Sequence, residues 1–233
     1  MARFDTTRWS IVLQARHATP ASAPALALLC GTYRPPVLAY IRRRGYAPDV
    51  AEDLTQAFFA QFIERAWHAG ADQTRGRFRA YLLTAVKRFL IDRDIEANRI
   101  KRGGSVVFEE IGDTPTLDLA GDDTPDAAFD RDWAIAVVDA AMARLRAEAV
   151  RAGKLALFEH LAEFVAERPD ESEYERLATA LGMRRNTIAV AVHRMRARLR
   201  DLVREEIAQT ALDHDHLANE LRDLRDAFDG IVH

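Results

Sequence analysis

Cysteine is almost absent from this 233-residue chain: Cys30 stands alone. That excludes an internal disulfide and any cysteine-built zinc cluster. Lysine is scarce too, with three among 33 basic residues. Arginine supplies the rest, and its planar fork suits phosphates and base edges; an arginine-rich codon usage gives the same bias. No apolar run reaches the roughly 18–20 residues of a membrane helix, so no membrane insertion is expected. The first residues, Met1 to Asp5, lack the apolar stretch of a leader, and the expectation is a cytoplasmic protein. There is no glycine-rich phosphate loop, no activated nucleophile and no metal quartet. His214 and His216 flank Asp215 without a third ligand in view. Neighbouring Glu52 and Asp53 point about 100° apart on a helix, poor geometry for shared acid–base work. No enzyme, cofactor or metal is therefore expected. What is present is a chain with 48% apolar and 30% charged residues, enough for a folded core.

The formal net charge of −3 conceals a strong segregation. Residues 1–102 carry 17 bases and 9 acids; residues 103–130 carry 8 acids and no base. Residues 131–204 hold 14 bases and 11 acids, and residues 205–233 hold 2 bases and 8 acids. The order is basic, acidic, basic, acidic, and the local balance is what a partner meets.

The apolar period is helical almost throughout. Leu54, Phe58, Phe59, Phe62 and Ile63 make one stripe, with Pro48 and Asp49 suited to that helix's first turn. Leu82, Ala85, Val86, Phe89 and Leu90 make another between Phe78 and Ile100. Pro35-Pro36 predicts a break between helices at Ala25–Leu29 and Val37–Ile41. Residues 103–130 have glycine, Thr-Pro steps and acids but no period, and read as a linker, with Val106–Phe108 a possible short strand. Helical pattern returns from Arg131, and Leu217, Leu221, Leu224 and Phe228 stripe a final helix. The expected fold is all-α: a domain over 1–102, an acidic linker over 103–130, a second domain over 131–207, and a helical tail over 208–233.

Tyr174 to Leu199 carries the pattern of a helix-turn-helix. Leu177, Leu181 and Met183 serve the first helix and turn, Ala178 allows close crossing, and Gly182 suits a left-handed helix end. Ile188, Ala191, Val192, Met195 and Leu199 form the inner stripe of the second helix. Between Arg176 and Arg204 stand eight arginines and one acid, Asp201. A basic helix after a tight turn is the geometry that enters a major groove. The alternative is an ordinary helical hairpin with a solvated face.

The segment Asp49-Val50-Ala51-Glu52-Asp53-Leu54-Thr55-Gln56-Ala57-Phe58-Phe59, followed by Arg77-Phe78-Arg79-Ala80-Tyr81-Leu82 and Lys87-Arg88-Phe89-Leu90-Ile91-Asp92-Arg93, resembles region 2 of sigma-70 RNA polymerase sigma factors. Val192-His193-Arg194-Met195-Arg196-Ala197-Arg198-Leu199 looks like their region 4. Order and spacing resemble the extracytoplasmic-function (ECF) subfamily. The resemblance implies a polymerase subunit that directs transcription initiation. It implies docking on the β′ clamp helices of core RNA polymerase through Asp49, Glu52, Asp53 and Gln56. It implies capture of the minus-ten promoter DNA by Trp67, Arg75, Arg77, Phe78, Arg79, Tyr81, Lys87, Arg88 and Arg93. It implies reading of the minus-thirty-five element by Arg184, Arg185, Asn186, Thr187, Val190, Arg194 and Arg198. Aromatic and cationic side chains interleaved in this way suit single-strand capture, although Phe78 and Tyr81 equally suit a helix core.

Two positions depart from the family pattern: Ala57 where an acid is common, and Arg88 where many members have Asn. The thinned acidic face suggests that phosphorylation of Thr55 by a Ser/Thr kinase would complete the polymerase contact, adding about −1.5 to −2 charge; an anti-sigma factor is the other candidate control. The acidic tail needs a partner, since a lone helix of that length is marginal in water. It would complete the fold, mask the helix-turn-helix, or mediate dimerisation. The competing reading of the whole chain is a helix-turn-helix transcriptional regulator that works without being a polymerase subunit.

Overall fold

A computed structural model describes residues 23–64, 78–101, 124–165, 169–209, 211 and 214–232. All regular structure among them is helical, as the apolar period indicates. The helices are α1 (Ala23–Arg43), α2 (Pro48–Glu64), α3 (Phe78–Lys101), α4 (Pro125–Arg151), α5 (Leu155–Leu161) with a short 3₁₀ turn (Ala162–Val165), α6 (Glu171–Leu181), α7 (Arg185–Ala208) and α8 (His214–Val232). None of the described helices is long and apolar enough to cross a membrane. By contacts the chain divides into a first unit, within 1–136 and 208–233, and a second, within 137–207.

The first unit is built on aromatic packing. α1 runs unbroken through Pro35 and Pro36, contrary to the expected interruption. Each proline removes a backbone donor and crowds the preceding turn. Here Tyr33, Val37, Tyr40 and Ile41 are all buried along one stripe, and that burial holds the helix together across the defect. Phe58 of α2 is completely buried, with ring centroids 5.2 Å from Phe59, 5.7 Å from Phe62 and 5.6 Å from Phe89 of α3. Helix α4 begins at Pro125, inside the segment expected to be linker; Thr124 caps it by accepting from the Ala127 N–H at 3.1 Å. Residues 102–123, with the Val106–Phe108 strand expectation, lie outside the described residues.

In the second unit, Asp170 closes a full capping box on α6. Its carboxylate accepts from the Glu173 N–H at 2.8 Å, and the Glu173 carboxylate accepts from the Asp170 N–H at 2.8 Å. Gly182 ends α6 at φ +61, where a Cβ would be strained. Leu161, Phe164, Leu177, Ile188 and Val192 are buried together, with Ala178, Leu181, Met183, Ala191 and Met195 packed against them. The positions expected from spacing to line the helix crossing therefore do so. Leu199 joins an adjoining cluster with Ala141, Leu145, Phe158 and Leu202.

A charged lattice fastens α4 to α7 within this unit. Arg198 forks onto Glu148 at 2.6 and 2.9 Å and reaches Glu205 at 3.1 Å. Arg144 donates to Glu206 at 2.7 Å and to Glu205 at 2.5 Å. The Arg198 hydrogen bonds hold the Glu148 carboxyl below its ordinary range. Partial burial would raise Glu205, but its bonds to Arg144 and Arg198 outweigh that and lower it. The Glu173 N–H lowers Asp170. These carboxyls bind protons less readily folded than unfolded, so their stabilisation is complete above the unfolded carboxyl range and is lost as pH falls into the folded range. The thermal midpoint of this unit is expected to drop between about pH 5 and pH 3. In Glu148→Gln the same scan gives a lower midpoint at neutral pH and a shallower acid limb; an unchanged limb would remove Glu148 from the account.

Candidate docking and nucleic-acid surfaces

Helix α2 divides its residues cleanly. Ala51, Thr55, Phe58, Phe59 and Phe62 turn inward. Asp49, Asp53 and Gln56 are exposed, and Glu52 is half-exposed and accepts from Arg34 at 2.5 Å and Arg42 at 3.5 Å of α1. The four residues expected to dock a partner thus share the outer side of one helix. Beside them runs an open groove between α1 and α2, lined by Cys30, Gly31, Arg34, Gln56, Phe59, Ala60 and Ile63. Burial pushes the Cys30 thiol up to about 11, so it stays protonated at neutral pH. The sequence reading did not include Arg34, which ties α1 to the acidic face; an arginine eighteen positions away carries no local signal.

Thr55 requires a correction. Its side chain lies in the core, fully shielded from solvent, and Oγ1 donates to the Ala51 carbonyl oxygen at 2.7 Å. The expectation of an accessible hydroxyl beside the acidic face fails because the residue falls on the opposite side of the helix, over the phenylalanine stripe.

Helix α3 carries all of the residues expected to meet single-stranded DNA that lie in described segments; Trp67, Arg75 and Arg77 lie outside them. Phe78 is a core residue, 2% exposed, packed edge-on against Tyr33 at 5.1 Å and Phe62 at 6.5 Å. It has no ring face left for a base. Arg79 is likewise withdrawn: it is 8% exposed, lies 4.3 Å over the Trp133 ring, and is ion-paired to Asp130, to Asp223 at 2.5 Å and to Glu220 at 3.3 Å. Lys87 pairs with Asp126 at 2.7 Å. Tyr81 is half-buried, which raises its phenol, and nearby Arg88 partly offsets the shift. Arg88 and Arg93 are exposed; Arg93 pairs with Glu96 at 3.2 Å and stacks 5.2 Å over Phe89. Of the expected DNA-facing cations on α3, Arg88 and Arg93 turn outward, while Arg79 and Lys87 are held by acids from α4 and α8.

On α7 and the turn before it, Arg184, Arg185, Asn186, Thr187, Val190 and Arg194 are all exposed, opposite the buried Ile188 and Val192. Arg185 is braced by Glu171 at 2.7 Å and lies 5.8 Å over Tyr174. Arg198 departs from the expected surface. Its guanidinium is spent on Glu148 and Glu205, so it fastens α7 to α4 instead of facing outward.

No curated protein and no solved structure matches the chain. Residues 29–98, from within α1 to near the end of α3, match the family model for Sigma-70 region 2.

Proposed function

We propose that the chain is an RNA polymerase sigma factor of the ECF type. Its region 2, at α1–α3, docks on the β′ clamp helices of core polymerase and opens the minus-ten element. Its α6–α7 pair acts as region 4 and reads the minus-thirty-five element as duplex. The observation that carries this reading is the coincidence of the region 2 match with the outward face of α2, where Asp49 and Asp53 are exposed and Gln56 lines the α1–α2 groove. An acidic helix face with an apolar groove beside it suits a basic, amphipathic partner helix. On α7, exposed Arg185, Asn186, Val190 and Arg194 offer the guanine, adenine and thymine-methyl contacts of major-groove readout. Control by phosphate at Thr55 requires the inner face of α2 to open first, since that hydroxyl is buried.

The test is transcription in vitro with core polymerase on a pool of promoter fragments. Specific starts are expected only when chain and core are both present. Asp53→Arg, an exposed change, is expected to cut them roughly tenfold with an unchanged thermal melt. Specific duplex binding without polymerase, and no polymerase-dependent starts, would favour the free-standing regulator. Running the assay with kinase-treated protein separates control at Thr55 from constitutive activity.

A further inference from the structure

Two acids of α8, Glu220 and Asp223, converge on the guanidinium of Arg79 in α3. Glu220 is 4% exposed and sits 3.3 Å from it; Asp223 is 2.5 Å away; Asp130 of α4 completes the group. Leu217 is buried on the same helix three residues before Glu220. Two turns along α3, Lys87 is held by Asp126 of α4. The carboxylates crowd one another as well as the cation. Burial raises the Asp130 carboxyl, Arg79 lowers it, and Asp223 and Asp126 raise it again. Such a group of oxygens around one guanidinium presents what a nucleic-acid backbone presents: several anionic oxygens at hydrogen-bonding distance.

We infer that α8 is an intramolecular polyanion clasp, occupying through Glu220 and Asp223 the cation that single-stranded DNA would otherwise engage, and that DNA and α8 compete for Arg79. The inference rests on the reading of α3 as a DNA-facing helix. In the clasped state Arg79 contributes nothing to DNA affinity, and strand capture begins on exposed Arg88 and Arg93. Displacing α8 then releases Nε and Nη2 of Arg79, with Asp130 still on Nη1, and offers DNA a guanidinium stacked on Trp133, an aromatic–cation pair of the kind that grips unstacked bases.

The experiment measures binding of the full chain to a fluorescent oligothymidylate by anisotropy over a range of salt. Glu220→Gln combined with Asp223→Asn keeps Arg79 and removes the competing charge. It is expected to bind about tenfold tighter, with the salt slope steeper by about 0.7 for the one extra phosphate contact. Equal affinity and slope in the two proteins would overturn the inference. A second measurement needs no substitution. Hydrogen exchange of the natural chain is expected to show α8 amides losing protection at saturating oligothymidylate while α1 and α2 keep theirs. Persistent protection of α8 under those conditions would also overturn it. Neither readout involves polymerase, so failure here leaves the transcription test of the proposed function intact, and failure there leaves this one readable.

Discussion

Phe58→Ala is expected to destabilise the first unit by about 3–5 kcal/mol, the usual cost of emptying a fully buried phenylalanine site. The ring has no solvent exposure and meets Phe59, Phe62 and Phe89 within 6 Å. Its removal forfeits the transfer energy of the ring and three edge or tilted aromatic contacts, each about 0.5–1.5 kcal/mol beyond area burial. Collapse is hard because the neighbours are themselves phenylalanines fixed by α2 and α3. Urea unfolding followed by circular dichroism reads the loss as a lower midpoint. The consequence reaches the outer face of the same helix, since Asp49, Asp53 and Gln56 keep their relative positions only while α2 stays seated. Polymerase-dependent starts should fall with stability. Phe58→Leu, which refills most of the volume, should recover both together; recovery of stability without recovery of starts would separate the core from the surface.

The helical period was legible because burial in this chain follows it closely. Phe58, Phe62, Leu82, Val86, Phe89, Ile188 and Val192, all on expected stripes, are at most 2% exposed. The turn at Gly182 was legible for the same kind of local reason, a glycine where the chain must go left-handed. Proline misled, because its cost is local whereas the stripe of Tyr33, Val37, Tyr40 and Ile41 that offsets it is tertiary. The charged sites were legible only in part. Spacing tells which side chains share a helix face but not which distant acid arrives opposite. Asp49, Asp53, Gln56, Arg185 and Arg194 stayed outward, whereas Arg79 and Arg198 were claimed by Asp223, 144 residues away, and Glu148, 50 residues away. An arginine in a basic run looks the same in sequence whether it will face solvent or be enclosed. Thr55 shows the converse error: a polar residue shortly after two acids is still a core residue when its helix angle matches the phenylalanines.

The segregated charge acquires a definite structural meaning in the first unit. Acids from the end of the 103–130 segment, Asp126 and Asp130, and from the tail, Glu220 and Asp223, are paired with Lys87 and Arg79 of the basic segment. Arg79→Met therefore has the second large effect. The thioether retains packing on Trp133 but withdraws the cation from three carboxylates, one of them nearly enclosed. Removing one partner of a buried ionic group costs about 3–5 kcal/mol, because the remaining charge has been desolvated without its counterion. The loss should appear first as lost hydrogen-exchange protection in α8, and then as a lower urea midpoint for the first unit. Neutralising the other side should reverse it: Arg79→Met combined with Asp130→Asn, Glu220→Leu and Asp223→Asn is expected to return to within about 1 kcal/mol of the natural chain, since a neutral, well-packed replacement of a buried ionic group is often no less stable. If the combined variant stays as unstable as Arg79→Met alone, packing of the guanidinium on Trp133, and not its charge, holds α8 in place. If it recovers while binding oligothymidylate no tighter than the natural chain, charge seats the tail and the gain in the Glu220→Gln, Asp223→Asn protein comes from Arg79 itself.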